Sequence, residues 1–171
     1  MNTSTLPAAD TSIKKLELLP LLISILITLG VGLSASEFTR PQIASWYHTL
    51  NKPDFTPPGW LFGPVWSVLY IMMAVSAYLI WKRRSIAPVY YCSKAYYFIQ
   101  LTLNFLWSLT FFSLHEIDLA LADIVLLFIS IIGTMYYFSR VYKTAALMLL
   151  PYLIWVGYAT ALNASICLLN K

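Results

Sequence analysis

Residues Leu18–Ala35 read LLPLLISILITLGVGLSA, eighteen positions without a charge. A cleaved signal peptide has an apolar core of roughly 7–15 residues, so this run is read as a retained helix. A hydrocarbon core needs about 20 helical residues, and four further segments are long enough for one. They are Phe62–Trp81, set between Pro57-Pro58 and Lys82-Arg83-Arg84; Tyr96–Leu114, ended by His115-Glu116; Leu119–Ser139, ended by Arg140; and Ala145–Leu169. None alternates with the two-residue period of a barrel strand, so each is expected to satisfy its backbone as a helix. The sequence predicts an all-α membrane protein: a polar N-terminal tail, residues 1–17, then one bundle of five transmembrane helices at about 18–35, 62–81, 96–114, 119–139 and 145–169. Only four residues separate the third and fourth segments, which predicts a tight antiparallel hairpin.

Composition agrees. Of 171 residues, 60% are hydrophobic and 11% charged, and the mean hydropathy is +0.72. Soluble domains carry about 25% charge and 45–50% apolar residues. These figures exclude a soluble domain, a disordered chain and a nucleic-acid binder. The net charge of +4 is read as topology. Lys14, Lys15, Lys82, Arg83, Arg84, Lys94, Arg140 and Lys143 fall on the N-terminal side, and Arg40, Lys52 and Lys171 on the other. The positive-inside rule then places the N-terminus in the cytoplasm. Cys92 and Cys167 are isolated and imply neither a disulfide framework nor a metal site.

Between the first two helices, Ser36–Leu61 form a long connection holding Trp46, Tyr47, Phe55, Trp60, Pro53, Pro57 and Pro58. Loops of this length are often functional. Two readings stand: a folded lid over one mouth of the bundle, or an aromatic belt at the membrane interface. Polar residues inside the helices also form stripes. Gln100, Asn104 and Ser108 share one face, with Trp107 beside Asn104; Trp155, Ala159 and Asn163 share another; Trp66 and Tyr70 share a third. Such stripes either glue helices together by hydrogen bonds across the bundle or line a cavity of flat rings and a few amides, suited to a flat hydrophobic ligand with polar edges. Asp123 enters the fourth helix near its electropositive end and has no second acid or His at similar depth, against an ion-coupled pump. No P-loop, HExxH or Gly-x-Ser-x-Gly is present, and His48 and His115 are too far apart in sequence to suggest a metal or haem site.

The stretch Trp46-Tyr47-x-x-Leu50-x-Lys52-Pro53, followed by Pro57-Pro58-Gly59-Trp60-x-Phe62-Gly63-Pro64-Val65-Trp66-x-x-Leu69-Tyr70, resembles the TspO/MBR family of translocator and tryptophan-rich sensory proteins. The resemblance continues through Gln100-Leu101-x-Leu103-Asn104-x-x-Trp107, Ala120-x-x-Asp123, Pro151-Tyr152-Leu153-x-Trp155 and Ala159-Thr160-x-Leu162-Asn163, over about residues 18–170. It implies a five-helix bundle, usually a homodimer, whose pocket is closed by the first loop. It implies binding of porphyrins, above all protoporphyrin IX, with no obligatory cofactor. The ligand contacts it implies match Tyr47, Pro57, Trp66, Tyr70, Asn104, Trp107, Trp155 and Ala159, with Asn163 added from the stripe on the last helix. Some bacterial members of this family are described as degrading protoporphyrin under light through tryptophans matching Trp66 and Trp155. The animal members' cholesterol motif, a Tyr and following Arg at the end of the fifth helix, is missing from Asn163–Lys171, which points to a bacterial-type member in the cell membrane.

Three functions follow as expectations: a tetrapyrrole-binding sensory or transport protein, a light-dependent porphyrin-degrading enzyme, and a sterol-binding translocator. In the first, the macrocycle stacks on Trp66, Trp155 and Tyr47, Asn104 and Asn163 donate to its polar edges, and the loop gates entry. Expected partners are membrane lipid, a flat hydrophobic small molecule and a second copy of the chain.

Overall fold

Long apolar runs with few glycines and prolines leave the backbone one way to satisfy itself in lipid, and the chain takes it. The computed structural model describes residues 16–85 and 87–171, where every regular element is helical. Of the expected polar tail only Leu16 and Glu17 fall within the described residues. The elements are α1 (Leu18–Ala44), α2 (Trp46–Thr49), a 3-10 turn (Gly59–Leu61), α3 (Phe62–Trp81), α4 (Tyr90–Ser108) with a π turn (Leu109–Ser113), α5 (Ile117–Val141), α6 (Lys143–Leu147) and α7 (Leu150–Leu169). Among the described residues four stretches are long and apolar enough to cross a membrane: Leu18–Ala44, Gly59–Trp81, Ile117–Val141 and Lys143–Leu169. The third expected span is helical but is not among them. Its helix starts earlier, at Tyr90, and Lys94, Gln100, Asn104 and four tyrosines make it more polar.

The first helix does not stop where its apolar run stops. α1 has 27 residues, about 40 Å at 1.5 Å per residue, against a hydrocarbon core of about 30 Å. The expected loop Ser36–Leu61 therefore opens with more than two turns of α1. A change from lipid to water removes the need for apolar side chains but does not break a helix. Ser34, Ser36 and Thr39 bond back to the carbonyls of Gly30, Leu33 and Ala35, and the turn comes only at Ser45, with φ −100° and ψ −95°. The part of the connection without helix is residues 50–58.

Helices α4 and α5 make the most extensive contact and run antiparallel. Ser93 Oγ reaches the Tyr137 carbonyl at 3.4 Å, and the rings of Tyr97 and Phe138 stack at 6.0 Å. The connection is as tight as expected and turns at His115, whose φ is 58°. On the other side α1 packs along α3, where Ser24 Oγ donates to the Ala74 carbonyl at 2.7 Å. Between helices in lipid the attraction is close packing, and Gly32 shows it: a Cβ there would overlap the ring of Tyr70. At the far end Ser76 Oγ on α3 bonds the Ala145 carbonyl of α6 at 2.7 Å. Pro151 lies in the first turn of α7, where its missing N–H costs nothing. Asp123, half-buried on α5, has a buried carboxylate oxygen without a hydrogen-bond partner among the described residues.

Candidate ligand site

The stripes of α3, α4 and α7 meet. Tyr70 donates its hydroxyl to Asn104 Oδ1, and Asn104 Nδ2 donates to the Tyr152 hydroxyl at 3.2 Å. Above them Trp66 tilts against Tyr70 with ring centroids 5.6 Å apart and sets an edge on Tyr152 at 6.1 Å. One turn further along α4, Trp107 Nε1 donates to Asn163 Oδ1 at 3.1 Å, and Asn163 Nδ2 donates to the Ile117 carbonyl at 3.2 Å. The two asparagines expected to donate to a ligand are thus engaged in joining helices. These bonds realise the glue reading for the two amides, while Trp66, Tyr70 and Trp107 on the same stripes border a cavity.

A second aromatic layer closes this core from the loop side. Tyr47 on α2 is buried and packs on Phe62, Phe111 and Phe112. Its partner Trp46 stacks on His115 at 4.2 Å and meets Phe111 edge-on at 5.4 Å. Lys52 holds the short helix. Its ammonium donates to the carbonyls of Tyr47, His48 and Leu50 at 2.8, 3.2 and 2.9 Å, a cation capping a helix C-terminus, and sits 5.1 Å from the Tyr47 ring. Residues 50–58 are then tied to α7: the Tyr158 hydroxyl donates to the Phe55 carbonyl at 2.6 Å, and Asn51 pairs with Asn170. The loop aromatics divide. Trp46 and Tyr47 face inward, whereas Phe55 and Trp60 are exposed, as interface anchors are. Pro57 is half-buried in this segment and lines neither cavity described below.

Two spaces adjoin this core. One, of about 290 Å3, lies between α1, α3 and α4 and is lined by Trp66, Tyr70, Trp107, Phe62 and Phe112, and by the exposed Arg40. The other, of about 20 Å3, lies under α2 between Tyr47, Trp107, Ala159 and Asn163, and shares Phe62, Trp107 and Phe112 with the first. Trp155 lines neither, but packs edge-on against Phe62 at 6.2 Å. Buried polar groups normally have partners, yet the Tyr47 hydroxyl, the Trp155 Nε1 and both amide atoms of Gln100 have none among the described residues. Burial, with Tyr158 nearby, pushes the Tyr47 hydroxyl up to about 12, so it stays a neutral donor at physiological pH.

Sequence reasoning missed Tyr152, Phe62 and Arg40. Tyr152 could have been found, because it precedes Trp155 by three and Ala159 by seven and so shares their face. Arg40 could not, because only the extension of α1 carries it to the cavity.

Residues 24–169 match the family model described as TspO/MBR family. The chain is similar to the Tryptophan-rich protein TspO of Archaeoglobus fulgidus, 43% identical over 91% of this chain and 99% of that one. It is similar to the protein of the same name from Chlorobaculum tepidum, 43% identical over 90% and 98%, and to the translocator protein of Homo sapiens, 34% identical over 75% and 76%. The apolar helices, the aromatic core beneath α2 and these likenesses lead to one statement: the chain is an integral membrane protein that belongs to the TspO/MBR family.

Proposed function

We propose that this protein binds a flat hydrophobic acid, a tetrapyrrole such as protoporphyrin IX, as a membrane sensor or carrier. The observation that carries the reading is the 290 Å3 cavity with three large rings, Trp66, Tyr70 and Trp107, and the exposed Arg40 in its lining. Rings offer stacking faces to a macrocycle, and a guanidinium at the water boundary matches a propionate. The unpartnered Tyr47 hydroxyl and Trp155 indole N–H supply the polar contacts that Asn104 and Asn163, already bonded, do not.

Drug-sized ligands occupy pockets of about 300–1,000 Å3, so a cavity of 290 Å3 is at the small end for a porphyrin. Turning Phe62, Trp107 and Phe112, which both spaces share, merges the two and extends the site toward Ala159 and Trp155. In this reading α2 and residues 50–58 are the lid. The five long helices, α1, α3, α4, α5 and α7, cross the membrane as one bundle, with α4 shielded by its neighbours. The N-terminus is cytoplasmic in a bacterial-type cell membrane, and two copies pair.

The test is titration of protoporphyrin IX into the purified full chain, read by tryptophan quenching. The expected result is a saturable quench that weakens about tenfold in the Trp66→Phe, Trp155→Phe double variant, from two lost stacking contacts of about 0.5–1.5 kcal/mol each. An unchanged isotherm in that variant would sink the stacking model, and equal competition by cholesterol would move the site toward sterols.

A second reading is light-dependent porphyrin degradation with Trp66 and Trp155 as the electron-rich partners. It is favoured by one observation: Phe62 lies on the cavity wall with Trp66 and against Trp155, so both indoles adjoin the same merged space. Turnover of many porphyrins per protein under illumination, lost in the double variant, is the expected result. Loss that stops at one equivalent would reject catalysis.

A further inference from the structure

A cavity of about 260 Å3 lies at the opposite end of α1, α3 and α4 and shares no lining residue with the space beside Trp66. Its wall includes Ser24 and Thr28 of α1, Tyr78 and Trp81 of α3, and Tyr97 and Lys94 of α4. Four of the five hydroxyl side chains in that wall are already bonded, Tyr90 being the fifth. Ser24 Oγ donates to the Ala74 carbonyl at 2.7 Å, Thr28 and Tyr97 bond each other at 2.6 Å, and the Tyr78 hydroxyl accepts the Glu17 backbone N–H at 2.9 Å. Apart from Tyr90 and Lys94, what remains in the lining is hydrocarbon and ring. Ile23, Ile27 and Phe98, which also border it, are exposed on the outside of the bundle, so the cavity opens sideways, toward lipid rather than along the bundle axis.

The rim is basic. The Arg84 guanidinium sits 3.7 Å from the Trp81 ring, and the Lys82 ammonium 5.8 Å from the Tyr78 ring. Lys94 lines the cavity itself. Its ammonium lies 6.0 Å from the Tyr91 ring and has no hydrogen-bond partner among the described residues. Glu17 reaches this end by its backbone bond to Tyr78, and the adjoining segments carry Lys82, Arg83, Arg84 and Lys94. An apolar slot open to lipid, with a free ammonium at its polar end, matches a molecule with a long chain and an anionic head. Basic pockets between membrane helices hold lipid headgroups for this reason, and the Lys94 stem can follow the chain while its charge stays at the interface.

We propose that this cavity is a site for an anionic amphiphile, its acyl chain between α1 and α4 and its phosphate or carboxylate head on Lys94, with Arg84 beside it. The proposal is independent of what the opposite end binds. Trp81 on the wall is a built-in reporter. Full-length protein in phosphatidylcholine nanodiscs is titrated with phosphatidylglycerol brominated on its chains, and in parallel with brominated phosphatidylcholine. The Trp81 signal is the difference between the wild type and Trp81→Phe.

The brominated phosphatidylglycerol is expected to quench Trp81 at about fivefold lower mole fraction than brominated phosphatidylcholine, the preference expected for one cation at a headgroup. Lys94→Gln should bring the two curves together without moving the phosphatidylcholine curve. Raising the salt should shrink the preference in the wild type, a readout that needs no variant. Relief of the quench by unbrominated phosphatidylglycerol assigns the site to phospholipid, and relief by oleate alone assigns it to free fatty acid; both support an anionic amphiphile. Equal curves for the two lipids in the wild type, or a preference that survives both salt and the Lys94→Gln, Arg84→Gln double variant, overturn it.

Discussion

Asn51 and Asn170 hold each other from both sides: the Asn51 backbone N–H donates to Asn170 Oδ1 and Asn170 Nδ2 donates to the Asn51 carbonyl, both at 2.9 Å, across 119 positions of sequence. The pair fastens the extended segment after α2 to the end of α7. Each exposed hydrogen bond of this kind contributes about 0.5–1.5 kcal/mol. Asn170→Ala should therefore raise both the on- and off-rates of protoporphyrin by a few-fold to about tenfold while leaving the helix content unchanged. Stopped-flow quenching checks this, and unaltered rates would show that the segment does not gate the site.

Tyr70 lies where three relationships meet: its ring blocks any Cβ at Gly32, its hydroxyl bonds Asn104 and its face supports Trp66. Gly32→Ala forces this buried ring to move, an overpacking that costs about 1–3 kcal/mol. A lower melting temperature in detergent together with weaker porphyrin binding is expected. A variant as stable as the wild type would show that Tyr70 can yield.

Tyr70→Phe removes a hydroxyl and leaves Asn104 Oδ1 buried without that donor, at a cost of about 1–3 kcal/mol. The ring and its stacking remain. Stability should fall more than porphyrin affinity does, which separates the helix-joining role of the amide from the wall role of the ring. Thermal unfolding and quenching titration on the same preparation make the comparison.

The Tyr47 hydroxyl is raised to about 12 by burial, against about 10 in an exposed chain. The unfolded chain then loses its proton first as pH rises. The contribution of Tyr47 is fully present below pH 10 and is lost between about 10 and 12. Between pH 7 and 10 the hydroxyl should remain a donor, so its share of ligand binding should not change; the difference between wild type and Tyr47→Phe, measured across that range, is expected to be flat.

Cys92 is exposed and Cys167 is buried, the latter donating to Asp118 Oδ1 at 2.7 Å. A bulky maleimide should label one thiol per chain, and Cys92→Ser should abolish the label. With a cytoplasmic N-terminus, Cys92 lies inside, so labelling should appear only after cells are opened. Labelling of intact cells would reverse the orientation.

Local pattern was enough for much of this. The boundaries of α3 were legible because Pro57-Pro58 and the triplet Lys82-Arg83-Arg84 punctuate both ends of one apolar run. The face shared by Gln100, Asn104 and Ser108 was legible because helical spacing is fixed, and all three are buried as that face requires. The end of α1 was not legible. Polarity marks where a helix leaves lipid, not where it stops, and the side chains from Ser36 to Ala44 can serve a helix in water. Nor could the stripe on α4 reveal whether Asn104 faced a ligand or another helix, since that depends on what α3 and α7 bring opposite it.

The chain's own residues determined that it is helical, that it belongs in a membrane and that its aromatic residues fall into positions shared with one family. These are consequences of composition and short-range spacing, which act along a single helix. Tertiary structure alone decided which polar groups are spent and which are free: Asn104 and Asn163 are taken by Tyr70, Tyr152 and Trp107, while the Tyr47 hydroxyl and Trp155 indole N–H find no partner among the described residues. A hydrogen bond needs its two atoms within about 3 Å, and residues on different helices come that close only through the packing of the whole bundle.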